Sequence, residues 1–83
     1  MPLDRGCVEG DAVVLTHLPP GWLDGLPPED QAAITAILGR PIQFSEYDVD
    51  YEGFVEVVFV DDRGHIHYLN VRAEFVGRCD GQP

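Results

Sequence analysis

Apolar and polar positions alternate along the chain in short stretches, and most stretches end at proline or glycine. The apolar, β-branched run Ala12 to Leu18 stops at Pro19-Pro20-Gly21, which cannot continue a hydrogen-bonded ladder, so it predicts a first strand. The next segment, Pro19 to Pro28, is rich in proline and glycine and carries Trp22, which is typical of an irregular apolar loop. We expect this loop to fold back on the core.

The following stretch has the period of a helix. Pro28 suits the first helical position, and the large aliphatic residues between positions 34 and 38 fall on one helical face. Gly39 is a typical residue just past a helix end, and Pro41 blocks any extension. The pattern therefore predicts a helix over Pro28 to Leu38.

Beyond Pro41 the period becomes that of strands. Ile42 and Phe44 point one way, a polar stretch at residues 48–53 interrupts, and Phe54 to Val60 is apolar enough for a central strand. The remaining predicted elements are a tight turn at residues 61–64, a strand from His65 to Val71, a helical turn from Arg72 to Phe75 and a short strand from Val76 to Cys79.

Alternation divides the predicted strand His65 to Val71 into two faces. Ile66, Tyr68 and Asn70 share one face, and we expect Ile66 and Tyr68 to point into the core. The other face carries His65, His67, Leu69 and Val71. The complete predicted core is Val13, Leu15, Trp22, Leu26, Ile34, Ile37, Leu38, Ile42, Phe44, Val55, Val57, Phe59, Ile66, Tyr68 and Phe75.

The order of these elements resembles the SH3-like small barrel, whose long first connection would hold the helix and whose last strand follows a one-turn helix. The segments GDAVVLTHLP, ILGRPI and VEVVFVDDRGHIHYL are also similar to small uncharacterised bacterial domains of this barrel type. The resemblance implies a mainly β fold, a barrel of about five antiparallel strands with one α-helix inserted after the first strand. It implies no activity, and the ALYDY-like stretch of peptide-binding SH3 domains is missing.

The length of 83 residues bounds the chain to one domain. We predict a single domain over residues 1–83, with its structured part at residues 10–79. The only serine, Ser45, lies outside any nucleophile turn, and neither Cys7 nor Cys79 has a base beside it in the sequence. We therefore expect a protein that is not an enzyme and needs no cofactor.

The chain is strongly acidic, since 15 carboxylates against 5 basic residues give a net charge of -10, and all the basic residues are arginines. The absence of lysine excludes Schiff-base chemistry and a P-loop. Nucleic-acid binding draws its affinity from lysine and arginine on phosphates, so direct binding of nucleic acid is not expected. The same charge favours encounter with a protein partner that has a basic surface.

The acidic residues are densest in the predicted hairpin that follows Phe44. If this segment is extended, alternation places the four acids between positions 46 and 52 on one face. Carboxylates interleaved with aromatic rings suit a basic partner, whereas the alternative is a solvated hairpin tip with no partner. The predicted partner-binding residues are Glu46, Tyr47, Asp48, Asp50, Tyr51, Glu52 and, as an anchor or as a plug of the barrel mouth, Trp22.

Two weaker patterns concern metals. Residues 48–53 match the opening of an EF-hand calcium loop, but Phe59 stands where that loop needs a bidentate glutamate. His65 and His67 form an H-x-H pair that could share a metal with a nearby aspartate, Asp61 or Asp62. A closed barrel would be needed to add His17. Weak metal binding is therefore kept as an alternative function.

The chain ends support three further expectations. Cys7 and Cys79 lack the spacing of a metal site, so we expect both to be free thiols in a reducing compartment. If the two ends of the chain pair as neighbouring strands, a disulfide between them under oxidising conditions is the alternative. No basic and apolar leader and no bilayer-length apolar run is present, which predicts a cytoplasmic protein without membrane contact. Val76 to Cys79 would form a lysine-free edge strand, which leaves homodimerisation open.

The predicted function is a non-catalytic, acidic protein-interaction module or accessory subunit. It would bind a basic partner surface through the acidic and aromatic hairpin. The alternative from a different class is an inhibitor, either an immunity protein or a DNA mimic that blocks a nuclease or a nucleic-acid-binding protein.

Overall fold

The computed structural model describes residues 7–78. Its elements are strand β1 (Ala12–Leu15), helix α1 (Pro28–Ile37), strands β2 (Pro41–Tyr47), β3 (Phe54–Val60) and β4 (Ile66–Arg72), a 3₁₀ turn (Ala73–Phe75) and strand β5 (Val76–Arg78). The predicted order of elements is confirmed. Cys79, the last residue of the predicted final strand, lies outside the described residues, and so does any pairing of it with Cys7.

The five strands form one antiparallel sheet in the order β4-β3-β2-β1-β5. Strand β3 pairs with β2 on one side and β4 on the other, as its nearly continuous apolar sequence predicts. The predicted closure into a barrel is wrong, because β4 and β5 are the two edges of the sheet and no ladder joins them within residues 7–78. Strand β5 pairs with β1, and β4 pairs with β3.

Helix α1 lies in the connection between β1 and β2, as predicted. It has ten residues, and within the part of the chain that is described no helix is long and apolar enough to cross a bilayer. Ile34 points into the core. The helix ends one residue earlier than predicted, because Leu38 already has an extended backbone. The N–H of Gly39 donates to the carbonyl of Leu15 at 3.1 Å, which fixes the helix end against the end of β1.

Strand β1 is shorter than predicted and ends at Leu15. The backbone N–H and the hydroxyl of Thr16 both donate to the carbonyl of Phe75, at 2.8 and 2.9 Å. The chain is thereby drawn toward the 3₁₀ turn, and residues 16–18 belong to the loop.

One face of the sheet carries the core, which α1 and the proline-rich loop cover. Most of the predicted core residues are buried there, and Trp22, Leu26, Ile37, Leu38 and Phe75 pack against it half-buried. The buried residues are Cys7, Val13, Leu15, Ile34, Ile42, Phe44, Val55, Val57, Phe59, Leu69, Val71 and Val76.

Strand β4 presents the opposite face to the one expected. Ile66 and Tyr68 are 60% and 63% exposed, so their placement in the core is wrong. Opposed residues in a ladder share a face, and the buried Val57 lies opposite Leu69. The register to β3 therefore turns Leu69 and its alternate neighbours inward. Alternation within β4 alone could divide its residues into two faces but could not tell which one is buried.

Candidate functional site

The acidic segment between β2 and β3 is a compact loop. Strand pairing stops at Tyr47, and the N–H of Asp48 donates to the carbonyl of Phe54 at 3.0 Å. The N–H of Phe54 in turn donates to the backbone carbonyl of Tyr51 at 3.2 Å. The expected extended row of four acids on one face is therefore wrong, and the carboxylates from 46 to 52 occupy different environments.

Asp48 holds this loop together. One carboxylate oxygen, Oδ1, accepts the backbone N–H groups of Asp50 and Tyr51 at 2.8 and 3.1 Å. The other oxygen, Oδ2, accepts the side-chain amide of Asn70 on β4 at 2.7 Å. These hydrogen bonds, that of Asp50 first, lower the pKa of Asp48 from its usual value. Three hydrogen bonds thus tie the Asp48 carboxylate to its own loop and to β4.

The tip of the loop is fully open to solvent. Asp50 and Glu52 are exposed, Tyr51 is 68% exposed, and Val49 is 95% exposed. The ring of Tyr51 lies edge-on to that of Phe54, with centroids 6.3 Å apart. Carboxylates and apolar side chains therefore stand together at the tip.

Glu46 lies on the sheet instead of at the tip. It stands directly opposite Glu56, beyond an irregularity in the β2–β3 ladder. Ser45 is at that irregularity, and its hydroxyl donates to Oε1 of Glu56 at 2.9 Å. Two like charges in opposed positions destabilise a ladder, so this pair makes the sheet surface a place where a cation would be stabilising.

Tyr47 and Trp22 are half-buried and have structural contacts. The Tyr47 hydroxyl accepts the backbone N–H of Cys7 at 3.1 Å, and its ring packs on Phe44 with centroids 4.8 Å apart. Trp22 packs against the core from the proline-rich loop. These two predicted partner-binding residues are thus placed where they hold the fold.

The tip carboxylates are not neutralised from within the described part of the chain. Among residues 7–78, no ion pair involves Asp50, Glu52 or the opposed glutamates of the sheet. Arg72, which is nearby in the sheet, lies over the ring of Phe54 at 5.6 Å and within 3.8 Å of Glu74. The negative charge of the tip is therefore available to a partner.

A second carboxylate cluster lies at the β3–β4 turn. Oδ2 of Asp61 is 2.8 Å from Nε2 of His67 and 3.8 Å from Nδ1 of His65. Its Oδ1 accepts the N–H groups of Arg63 and His65, both at 2.9 Å. The hydrogen bond from His67, followed by that from His65, lowers the pKa of Asp61 to about 2.

The two histidines of the H-x-H pair differ in their surroundings. The His67 side chain is 15% exposed and stacks on Phe59 with ring centroids 4.8 Å apart, whereas that of His65 is 71% exposed. His17, in the loop after β1, packs edge-on against Phe75 of the 3₁₀ turn, away from the two other histidines. Within residues 7–78, no group of three or more potential ligands is arranged to hold a metal ion.

Two features of this surface were missed by sequence reasoning. The first is an apolar patch on the outer face of the sheet, where the register sets Val58 opposite Tyr68 and Val60 opposite Ile66. The second is an open cleft of about 820 Å³ between α1 and the β3–β4 turn. The sequence of β3 could have indicated the patch, because it is apolar at every position but one. In a single sheet covered on one face, such a strand places apolar side chains on the uncovered face as well.

No protein family, curated protein or solved structure matched this chain in comparisons of its sequence and structure.

Proposed function

We propose that this chain is a non-catalytic, acidic protein-interaction module that binds a basic surface of a partner protein. The observation that carries the proposal is the exposed loop tip. There the carboxylates of Asp50 and Glu52 flank Tyr51, with no ion pair to them from the described residues.

Electrostatics supports this function over a purely solvated tip. The net charge of -10 speeds encounter with a basic partner. Ion pairs between exposed tip carboxylates and a partner add little affinity. The aromatic ring beside them therefore supplies the buried contact area that a stable complex needs. Tyr51 and Val49 provide that apolar area at the tip.

The local chemistry also favours binding over catalysis. Among residues 7–78, the Ser45 hydroxyl is bonded to Glu56 on the sheet surface, Cys7 is buried, and neither of them lines the cleft. Binding needs only the exposed groups that the tip already presents.

Affinity capture from a lysate of the source organism tests the proposal. We expect the double variant Asp50→Lys, Glu52→Lys to lose the captured partner, and we expect binding of the wild type to weaken with added salt. A matched control, Glu9→Lys with Asp24→Lys, changes the net charge equally at exposed sites outside the loop. Asp48 is left intact because its reversal would unfold the loop.

A partner that tolerates the Asp50 and Glu52 reversals as well as it tolerates the control would contradict the proposal. Competition of DNA with the protein for the captured partner would instead favour the inhibitor of a nuclease or nucleic-acid-binding protein.

Two finer inferences accompany the function. The order of elements supports an SH3-like relationship, with the sheet left open, and a crystal structure would test it by superposition. We also infer a cytoplasmic location, which fractionation of the source cells would test.

A further inference from the structure

Within residues 7–78, no strand pairs with the outer edge of β4. Its seven residues pair with β3 in an uninterrupted register, without a bulge, and include no proline, lysine or acidic residue; the charged residue among them is Arg72, the last one. Natural proteins usually shield an edge strand by one of these devices or by shortening it. At the other edge, β5 is described as far as Arg78, the last residue that the structure describes. β4 is a seven-residue edge that can accept another strand.

The register shows which backbone groups are open. Two hydrogen bonds frame the ladder, from Asp61 N–H to the His65 carbonyl and from Ala73 N–H to the Gly53 carbonyl. Because the direction of backbone groups alternates along a strand, the odd-numbered residues of β4 face β3. The N–H and carbonyl groups of Ile66, Tyr68 and Asn70 point away from the sheet, and so does the N–H of Arg72, whose carbonyl belongs to the 3₁₀ turn that follows.

Side chains on both sides of this edge suit an added strand. On the outer face, Ile66 and Tyr68 extend the apolar patch to the very edge. On the inner face, the cleft begins at His67 and is walled by α1. Beside His67, alternate side chains of an added strand would thus meet the apolar patch on one side and the cleft on the other.

The charges around the edge select the occupant. Four carboxylates line the cleft against Arg40 and Arg63. One of the four, Asp61, is already bonded to its own loop and to His67, which leaves three for a partner. The acidic loop tip lies at the far end of β4, where Asp48 is bonded to Asn70. A second copy of the chain would bring another net charge of -10 to this edge, and that repulsion disfavours it.

We propose that β4 accepts an extended, basic segment of the partner protein by strand addition. The segment's backbone bonds to the open edge, its apolar side chains lie on Ile66 and Tyr68, and its lysine or arginine side chains enter the cleft. This mode of binding rests on the proposed function and specifies where the partner's chain runs.

Amide NMR with a synthetic probe tests the mode. The probe is a peptide of alternating lysine and valine, matched in length to β4, and its control has glutamate in place of lysine. With the lysine peptide we expect the outward amide hydrogens of Ile66, Tyr68, Asn70 and Arg72 to gain protection from exchange. The glutamate peptide should produce no protection.

Variants on one sheet face complete the test. Tyr68→Lys removes apolar contact at the edge and adds a like charge, so we expect about a tenfold weaker complex with the lysine peptide. Ala12→Lys adds the same charge at an exposed position on β1 and should bind as the wild type does. Both residues are exposed, so both variants should keep the fold, with shift changes only near the substituted residue.

The outcomes separate the two proposals. Shifts confined to the 48–53 loop, with β4 unchanged, would overturn strand addition and leave the acidic module standing. Absence of binding to the lysine peptide anywhere at low salt would overturn both. A dimer in analytical ultracentrifugation that Tyr68→Lys dissociates would assign the edge to a second copy and overturn the basic occupant.

Discussion

The loops at residues 48–53 and 61–65 are built on the same device toward opposite ends of β4. Each begins with an aspartate directly after a strand, Asp48 after β2 and Asp61 after β3. In each, Oδ1 accepts two backbone N–H groups of its own loop and Oδ2 is bonded to a β4 side chain. Both carboxyl groups consequently have a lowered pKa.

The β4 side chains that complete the two loops differ. Asn70 is an exposed amide, whereas His67 is a half-buried ring stacked at 8° on Phe59 of the core. The 61–65 loop is therefore joined to the core, and the 48–53 loop is joined to the surface. In both loops, the first aspartate is occupied by hydrogen bonds within the molecule. Only carboxylates without such bonds are available to a partner. The remaining turn carboxylates are Asp50, Glu52 and Asp62.

The largest effect is expected from the rings beneath the two loops. Phe59 is 6% exposed, so Phe59→Ala should lower the free energy of unfolding by about 3–5 kcal/mol. Phe54→Ala, at the half-buried ring beside the 48–53 loop, should lower it clearly less. Urea unfolding at neutral pH measures both. Equal losses would mean that the 61–65 loop is no better joined to the core than its counterpart.

The two aspartates offer the next comparison. Asparagine keeps one acceptor oxygen for the loop N–H groups but removes the charge that His67 or Asn70 contacts. We expect Asp61→Asn to lower the free energy of unfolding more than Asp48→Asn, because water can replace the bond to exposed Asn70 more easily. Urea unfolding of both variants measures the difference. The reverse order would show that burial of His67 does not strengthen its bond.

The acid limb of the stability curve isolates the Asp61 contribution. Its pKa is lowered from 3.8 to about 2 in the folded state, so the unfolded chain binds more protons between these values. Stability from this carboxylate is fully present above pH 3.8 and is lost as pH falls toward 2. We expect Asp61→Asn to flatten this part of the curve relative to the wild type. Parallel acid limbs for the two proteins would contradict the assignment.

Local signals in the sequence predicted most of the fold. Proline and glycine mark the ends of α1, and the apolar run of β3 marks a central strand, so neither depends on distant contacts. Barrel closure and the buried face of β4 depend on which strands meet and in what register. The prediction for Ile66 and Tyr68 was wrong because both faces of β4 carry large hydrophobic side chains, and only the register to β3 decides that Leu69 lies inside.

The candidate site was predictable in its location but less so in its detail. The density of acids between β2 and β3 indicated the loop, and Asp50, Tyr51 and Glu52 stand exposed there. The hydrogen bonds of Asp48 were not predictable from the density of acids, because Asn70, one of its partners, is 22 positions away in the sequence. The cleft likewise depends on the placement of α1 beside the β3–β4 turn.

The smallest change in the free energy of unfolding is expected from substituting the glycines near the ends of the two loops. Comparing the two substitutions tests whether the loop backbones are equivalent. Gly53 and Gly64 have φ angles of 90° and 86°, and a Cβ at either position would meet no atom within 4 Å. The cost of alanine is therefore that of the left-handed backbone alone, about 1 kcal/mol at each position. Thermal or urea unfolding of Gly53→Ala and Gly64→Ala measures it. A much larger loss for Gly64→Ala would mean that the displaced backbone also breaks the Asp61 bonds to Arg63 and His65, so that the turn and its carboxylate form one cooperative unit.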